Sequence, residues 1–126
     1  FRLYSFFHSA WTNVPGQREL YPYPFVVINP YDAAEAGIQE GDWTEIISPR
    51  GKVKAKAQVS LEVAPGVVAL PRPGWRSDCE ELDLPAYDWE DVCINNLIPG
   101  GDDSCDPSFA TAPMRSTLCK IRKMEA

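Results

Sequence analysis

Residues Phe25–Val59 read FVVINPYDAAEAGIQEGDWTEIISPRGKVKAKAQV, and this stretch decides the fold. Phe25 to Ile28 is a continuous apolar run too short for a helix, which predicts a strand buried on both faces. Asn29 offers a side-chain oxygen as an N-cap. Pro30 suits the first helical position, where its missing N–H would have no partner anyway. Asp32 and Glu35 put negative charge in the first turn, where the helix dipole favours it. Ala33, Ala34 and Ala36 are strong helix formers, and Gly37 is a left-handed stop. Glu40-Gly41-Asp42 predicts a turn, Trp43 to Ser48 a strand, and Pro49-Arg50-Gly51 a reversal of the chain. Beyond it, Val53, Ala55, Ala57 and Val59 alternate with Lys52, Lys54, Lys56 and Gln58. That is the period of a half-buried strand with a solvated basic face.

Outward from this stretch, the chain of 126 residues fits one domain, residues 1–126, able to bury a core without staples. It starts at Phe1 and shows no signal peptide, lipidation signal or transmembrane run, so it reads as a domain excised from a longer protein. Twelve prolines and eight glycines predict many short elements joined by irregular connections. A net charge of −6 argues against general binding to nucleic acid or an anionic membrane, so any anion site must be local.

Phe1 to Trp11 is aromatic and β-like. Thr12 to Pro24 reads as a loop with Arg18 and Glu19 solvated, its Tyr-Pro repeats holding it extended. Gly66 to Leu70 predicts a short strand, and Pro71 to Trp75 breaks regular structure. Arg76 to Asp91 carries seven carboxylates, Asp78, Glu80, Glu81, Asp83, Asp88, Glu90 and Asp91. They invite a metal, but calcium loops are built around a glycine and this stretch has none, so a solvated loop anchored by Tyr87 and Trp89 is expected. Gly100 to Asp103 reads as a flexible loop, Thr117 to Arg122 as a closing strand, and Lys123 onward as a frayed end.

The four cysteines are Cys79, Cys93, Cys105 and Cys119, with no C-x-x-C pair, which argues against zinc or an iron–sulfur cluster. Cys119 is expected in the closing strand as a small buried hydrophobe. Cys79, Cys93 and Cys105 lie in the loop-rich middle, where one disulfide or free thiols are both open. There is no phosphate-binding G-x-x-x-x-G-K loop, nucleophile elbow or H-E-x-x-H helix, and the single histidine has no assigned partner.

Asn29-Pro30-Tyr31-Asp32-Ala33, Gly37-Ile38, Gly41-Asp42-Trp43, Ser48-Pro49-Arg50-Gly51 and Pro65-Gly66-Val67-Val68 stand in an order that resembles the C-terminal dinucleotide-binding domain of the molybdopterin oxidoreductases, the dimethyl sulfoxide reductase family. The resemblance runs from Arg2 to Lys123. It implies a mainly β fold, a six-stranded double-psi β-barrel of the aspartate-decarboxylase-like kind with short helices, here expected to lack its first strand. It also implies a role: holding one half of a bis(molybdopterin guanine dinucleotide) molybdenum or tungsten cofactor in a multidomain oxidoreductase. The implied cofactor contacts are Arg2, His8 and Ser9 in the aromatic N-terminal segment, Gly74 and Trp75 in a G-W motif, Asn95 leading an N-x-L element, and Arg115 after Asp106-Pro107. Gly74 would admit a flat ring, Asn95 offers donor and acceptor together, and Arg115 meets negative charge. Read without the resemblance, His8 is a satisfied histidine in an aromatic cluster, Trp75 caps the core, and Asn95-Asn96 is a turn.

No catalytic residue or metal ligand is implied within this segment, because in the family those lie in other domains. The isolated segment is expected to be inactive and to hold no cofactor. The implied partners are the other domains of the parent enzyme and electron-transfer subunits, with no nucleic acid and no membrane contact. An alternative from another class is an adaptor module of the kind the same barrel provides in some AAA ATPases. A self-processing decarboxylase on this fold needs a Gly-Ser pair, which the sequence lacks. The compartment and the parent's substrate are not specified by these residues.

Overall fold

The computed structural model describes residues 1, 3, 10–11, 14–72, 87–112 and 117–125. Its elements in order are α1 (Pro15–Arg18), β1 (Phe25–Ile28), α2 (Pro30–Glu35), β2 (Trp43–Ile47), β3 (Lys52–Val59), β4 (Val68–Ala69), α3 (Trp89–Val92), 3₁₀ turns at Ile94–Leu97 and Asp102–Ser104, and β5 (Lys120–Lys123). The fold is mainly β, with a few short helices.

The five strands form one mixed sheet in the order β4-β1-β3-β2-β5. β1 runs parallel to β3, with Val26 opposite Ala57 and Ile28 opposite Val59. The other pairs are antiparallel, β2 meeting β3 with Ile46 opposite Val53. A parallel neighbour needs a crossover, and α2 with the turn at Gly41 supplies it. The Asn29 cap and the glycine stops act as predicted, but Glu35 is the last residue of α2 and only Asp32 lies in its first turn. Asn29 Oδ1 accepts from the Tyr31 N–H at 3.0 Å, and Gly37 and Gly41 take φ of 66° and 79°.

The alternation in β3 sorts its faces. Val53, Ala55 and Ala57 are buried. The cluster Val26, Ile46, Val53, Ala55 and Leu97 packs against Val68 and Ile121. A second cluster, Ile28, Ala33, Ile38 and Ala57, packs against the same two residues. Val68 belongs to β4 and Ile121 to β5, the opposite edges of the sheet. Both edges therefore reach one core, and the sheet is curled into a half-barrel.

Several expectations are corrected. The segment Thr12 to Pro24 contains α1, and Arg18 is buried at 1 % exposure, not solvated. Its Nη1 donates to the Tyr21 carbonyl at 2.6 Å, which offsets part of the cost of burying the charge. The β4 strand covers only Val68–Ala69, because Gly66 with φ 79° closes a turn just before it. The last strand starts at Lys120, so Cys119 lies outside it and is exposed. Lys123 is not frayed: its Nζ sits 2.7 Å from Asp42 Oδ2, and the Met124 N–H donates to Trp43 O at 2.9 Å. Gly100 to Asp103 is partly ordered as a 3₁₀ turn. Tyr87 does pack near Trp43, with ring centroids 5.7 Å apart, whereas Trp89 is 61 % exposed.

The basic face of β3 is covered more than its alternation implies. Lys54 pairs with Asp91 at 2.6 Å, Lys52 with Glu45 at 2.7 Å, and Lys56 lies 3.6 Å above the Tyr23 ring. Cys93 and Cys105 are free thiols, and Cys79 lies outside the described residues. No helix among the described residues is long and apolar enough to cross a membrane.

Candidate functional site

Of the sequence-predicted contacts, Asn95 lies within the described residues; Arg2, His8, Ser9, Gly74, Trp75 and Arg115 lie outside them. Asn95 sits in the 3₁₀ turn Ile94–Leu97, with its side chain exposed. Among the described residues that amide makes no hydrogen bond.

The turn is fastened on three sides. Leu97 is buried in the main core cluster. Asn96 Nδ2 donates to the carbonyls of Trp89 at 3.1 Å and Glu90 at 2.9 Å, tying the turn to α3; the Trp89 carbonyl also accepts the Cys93 N–H at 2.9 Å. On the third side the β2–β3 hairpin closes in: a Cβ at Gly51 would stand 2.7 Å from the Asn96 carbonyl oxygen. Only glycine allows that approach. The hairpin is held in turn by Ser48, which is buried and whose hydroxyl accepts from the Arg50 and Gly51 N–H groups at 3.2 and 3.3 Å. The Arg50 guanidinium lies against Gly100, its atoms 3.7 to 3.8 Å from where a Gly100 Cβ would stand.

A cavity of about 410 Å³ opens beside this turn. Its described lining includes Phe1, Leu70, Ile94, Leu97, Ile98 and Thr117. The N-terminal ammonium of Phe1 donates to Leu70 O at 2.9 Å, and the Arg72 N–H donates to Phe1 O at 3.0 Å, so the first residue runs alongside the chain leaving β4. Cys119 also borders the cavity. Although that residue is exposed as a whole, protein crowds its thiol closely enough to push its pKa up, which keeps it protonated at neutral pH. Among the described residues no group of three or more His, Cys, Asp or Glu could hold a metal ion.

The walls of the cavity at Val68, Leu70, Ile94, Leu97 and Ile98 are apolar, and the exposed Asn95 belongs to the turn that supplies Ile94 and Leu97. Sequence reasoning singled out Asn95 as a contact and read Gly51 and Asn96 as turn residues, without their mutual approach. The available signal was the Asn-Asn pair, in which one amide serves the turn and leaves the other outward.

The chain matches the family described as "Molydopterin dinucleotide binding domain" over residues 1–117. It is 34 % identical over 122 residues to the dopamine dehydroxylase of Eggerthella lenta, covering 97 % of this chain and 12 % of that protein. It is 46 % identical over 98 residues to a dimethyl sulfoxide reductase of Escherichia coli, covering 77 % of this chain and 11 % of that protein. Among solved structures, acetylene hydratase from Pelobacter acetylenicus superposes with a TM-score of 0.83, at 20 % identity, over 98 % of this chain and 17 % of that one. This last likeness concerns the fold. The chain thus spans about an eighth of the length of the first of these curated relatives.

Proposed function

The chain belongs to the molydopterin dinucleotide binding domain family, and from that membership we propose that it encloses one half of a bis(molybdopterin guanine dinucleotide) cofactor of molybdenum or tungsten. It is a domain of the dimethyl sulfoxide reductase family of enzymes. The adaptor-module alternative loses its ground with that membership.

One observation carries the site. The cavity is bordered by residues next to four separate sequence elements: Phe1 beside Arg2, Leu70 shortly before Gly74, Ile94 and Leu97 around Asn95, and Thr117 shortly after Arg115. Phe1, Leu70, the Ile94–Leu97 turn and Thr117, far apart in the chain, meet at this cavity, and this supports a shared rim for Arg2, His8, Ser9, Gly74, Trp75, Asn95 and Arg115.

The residues present fit such a group. The apolar walls of Leu70, Ile94 and Leu97 suit the face of a heterocycle, and Asn95, exposed on the turn between the last two, has an amide able to donate to and accept from its edge. Arg115 would meet a phosphate or another charged group. The cofactor, when bound, supplies the redox or group-transfer chemistry. This segment's share is to hold and orient it, with catalysis lying in the rest of the parent, so the isolated segment is inactive. We further propose that the half-barrel is part of a six-stranded double-psi barrel, a reading that the parallel β1–β3 pair supports. The other domains of the parent, and electron-transfer subunits, are its partners.

The test is cofactor content. In the full-length enzyme, Asn95→Ala and Arg115→Ala should each lower the metal and guanine nucleotide retained per protein after gel filtration. Full retention in both variants would refute the site.

A further inference from the structure

Asn95 is presented to solvent by a turn that three neighbours hold, and two of those holds are unusual. The Gly51–Asn96 approach puts backbone against backbone, at a distance that any side chain on residue 51 would violate: 2.7 Å from a Cβ to the Asn96 oxygen. Neither side of that contact is a flexible side-chain end, so one main chain would have to shift. The Asn96 side-chain NH2 donates to the carbonyls of Trp89 and Glu90. Neither Gly51 nor Asn96 is a core residue; Ile46, Val53 and Leu97 form the hydrophobic core at this place. What these contacts fix is the backbone of the turn that carries Asn95.

We propose that Gly51 and Asn96 are positioning residues for cofactor binding, acting through Asn95. The hairpin Ser48–Gly51 sets the height of the turn, and Asn96 sets its rotation. This rests on the reading of Asn95 as a cofactor contact. A hydrogen bond aimed at a ring edge weakens steeply once its angle or distance slips, so a displaced turn loses the contact although the Asn95 side chain itself is unchanged.

The experiment uses the full-length enzyme loaded with its cofactor, and follows loss of metal and guanine nucleotide during dialysis. Asn95→Ala, Asn96→Ala and Gly51→Ala are compared singly, and the latter two are each combined with Asn95→Ala. The unfolding midpoint of each protein stripped of cofactor is measured beside them. Each single variant should release cofactor faster, by about threefold to tenfold, the size of one hydrogen bond. In the Asn95→Ala background, neither second change should accelerate release further, because the contact they position is already gone. Acceleration of equal size with and without Asn95 would overturn the proposal and leave a general stabilising role. Should Asn95→Ala release normally, the contact reading fails and the proposal with it. Faster release from Asn95→Ala, with normal release from the other two, refutes the positioning role alone. If Gly51→Ala does not fold, the half-exposed Asn96 still decides the matter.

Discussion

Arg122 on β5 reaches Glu45 on β2, its register partner, with Nε 2.8 Å from the Glu45 carboxylate. Lys52 on β3 meets the other carboxylate oxygen at 2.7 Å. One side chain, 10 % exposed, thus ties three adjacent strands together, while both cations remain 67 % exposed. The hydrogen bond from Lys52, and then those from Arg122, hold the Glu45 carboxyl below its ordinary pKa. A carboxyl whose folded pKa is depressed contributes stability that is present above its unfolded value, about 4.3, and is lost as pH falls through the folded one. The urea midpoint of the purified chain should therefore drop on acidification below about pH 4.3, and Glu45→Gln should flatten that drop. At neutral pH the variant should cost about 0.5–1 kcal/mol, since both partners stay hydrated. An acid limb unchanged in Glu45→Gln would assign the effect to other carboxylates.

Ile46 is fully buried and sits in the cluster with Val26, Val53, Ala55 and Leu97. Truncation to alanine removes apolar burial and leaves a cavity, at a cost of about 2–5 kcal/mol. Ile46→Val should cost about 0.5–1.5 kcal/mol. Equilibrium denaturation gives both values, and equal losses would show that the cluster relaxes around the gap.

Arg18 is the largest fully buried side chain in the described structure. Burial draws its pKa below the ordinary value, while its Nη1 bond to Tyr21 O fixes the bend between α1 and β1. Arg18→Ala leaves that carbonyl without this donor and should destabilise by about 1–3 kcal/mol. Hydrogen exchange at Tyr21 and its neighbours should rise in the same variant. Protection unchanged there would mean that water replaces the guanidinium at no cost.

Asn29 joins two segments. Its Oδ1 caps α2 through the Tyr31 N–H, and its Nδ2 donates to Val63 O at 2.7 Å. Asn29→Asp keeps the cap but loses the donor; Asn29→Ala loses both. Calorimetry should rank them with alanine the worse, the cap alone accounting for about 1 kcal/mol. Equal melting temperatures in the two variants would place the whole effect in the Val63 contact.

Much of this molecule is legible from local chemistry. The Asn29-Pro30 start of α2, the stops at Gly37 and Gly41, and the alternation from Val53 to Ala57 each depend on a few neighbouring residues, so periodicity and φ preference suffice to read them. Asn95 was singled out for a different reason, as one step in an ordered series of motifs. What the chain could not disclose alone were relations between distant residues. Alternation says that Lys52 and Lys54 point away from the core, but not that Glu45 and Asp91 wait there. Arg18 looks solvated because charge favours water, and its burial beside the Tyr21 carbonyl emerges with the fold. Nothing in Pro49-Arg50-Gly51 announces that its glycine will meet Asn96, some forty-five residues on. A turn signal concerns the backbone's own torsions, whereas a close approach is set by where the folded sheet carries two loops.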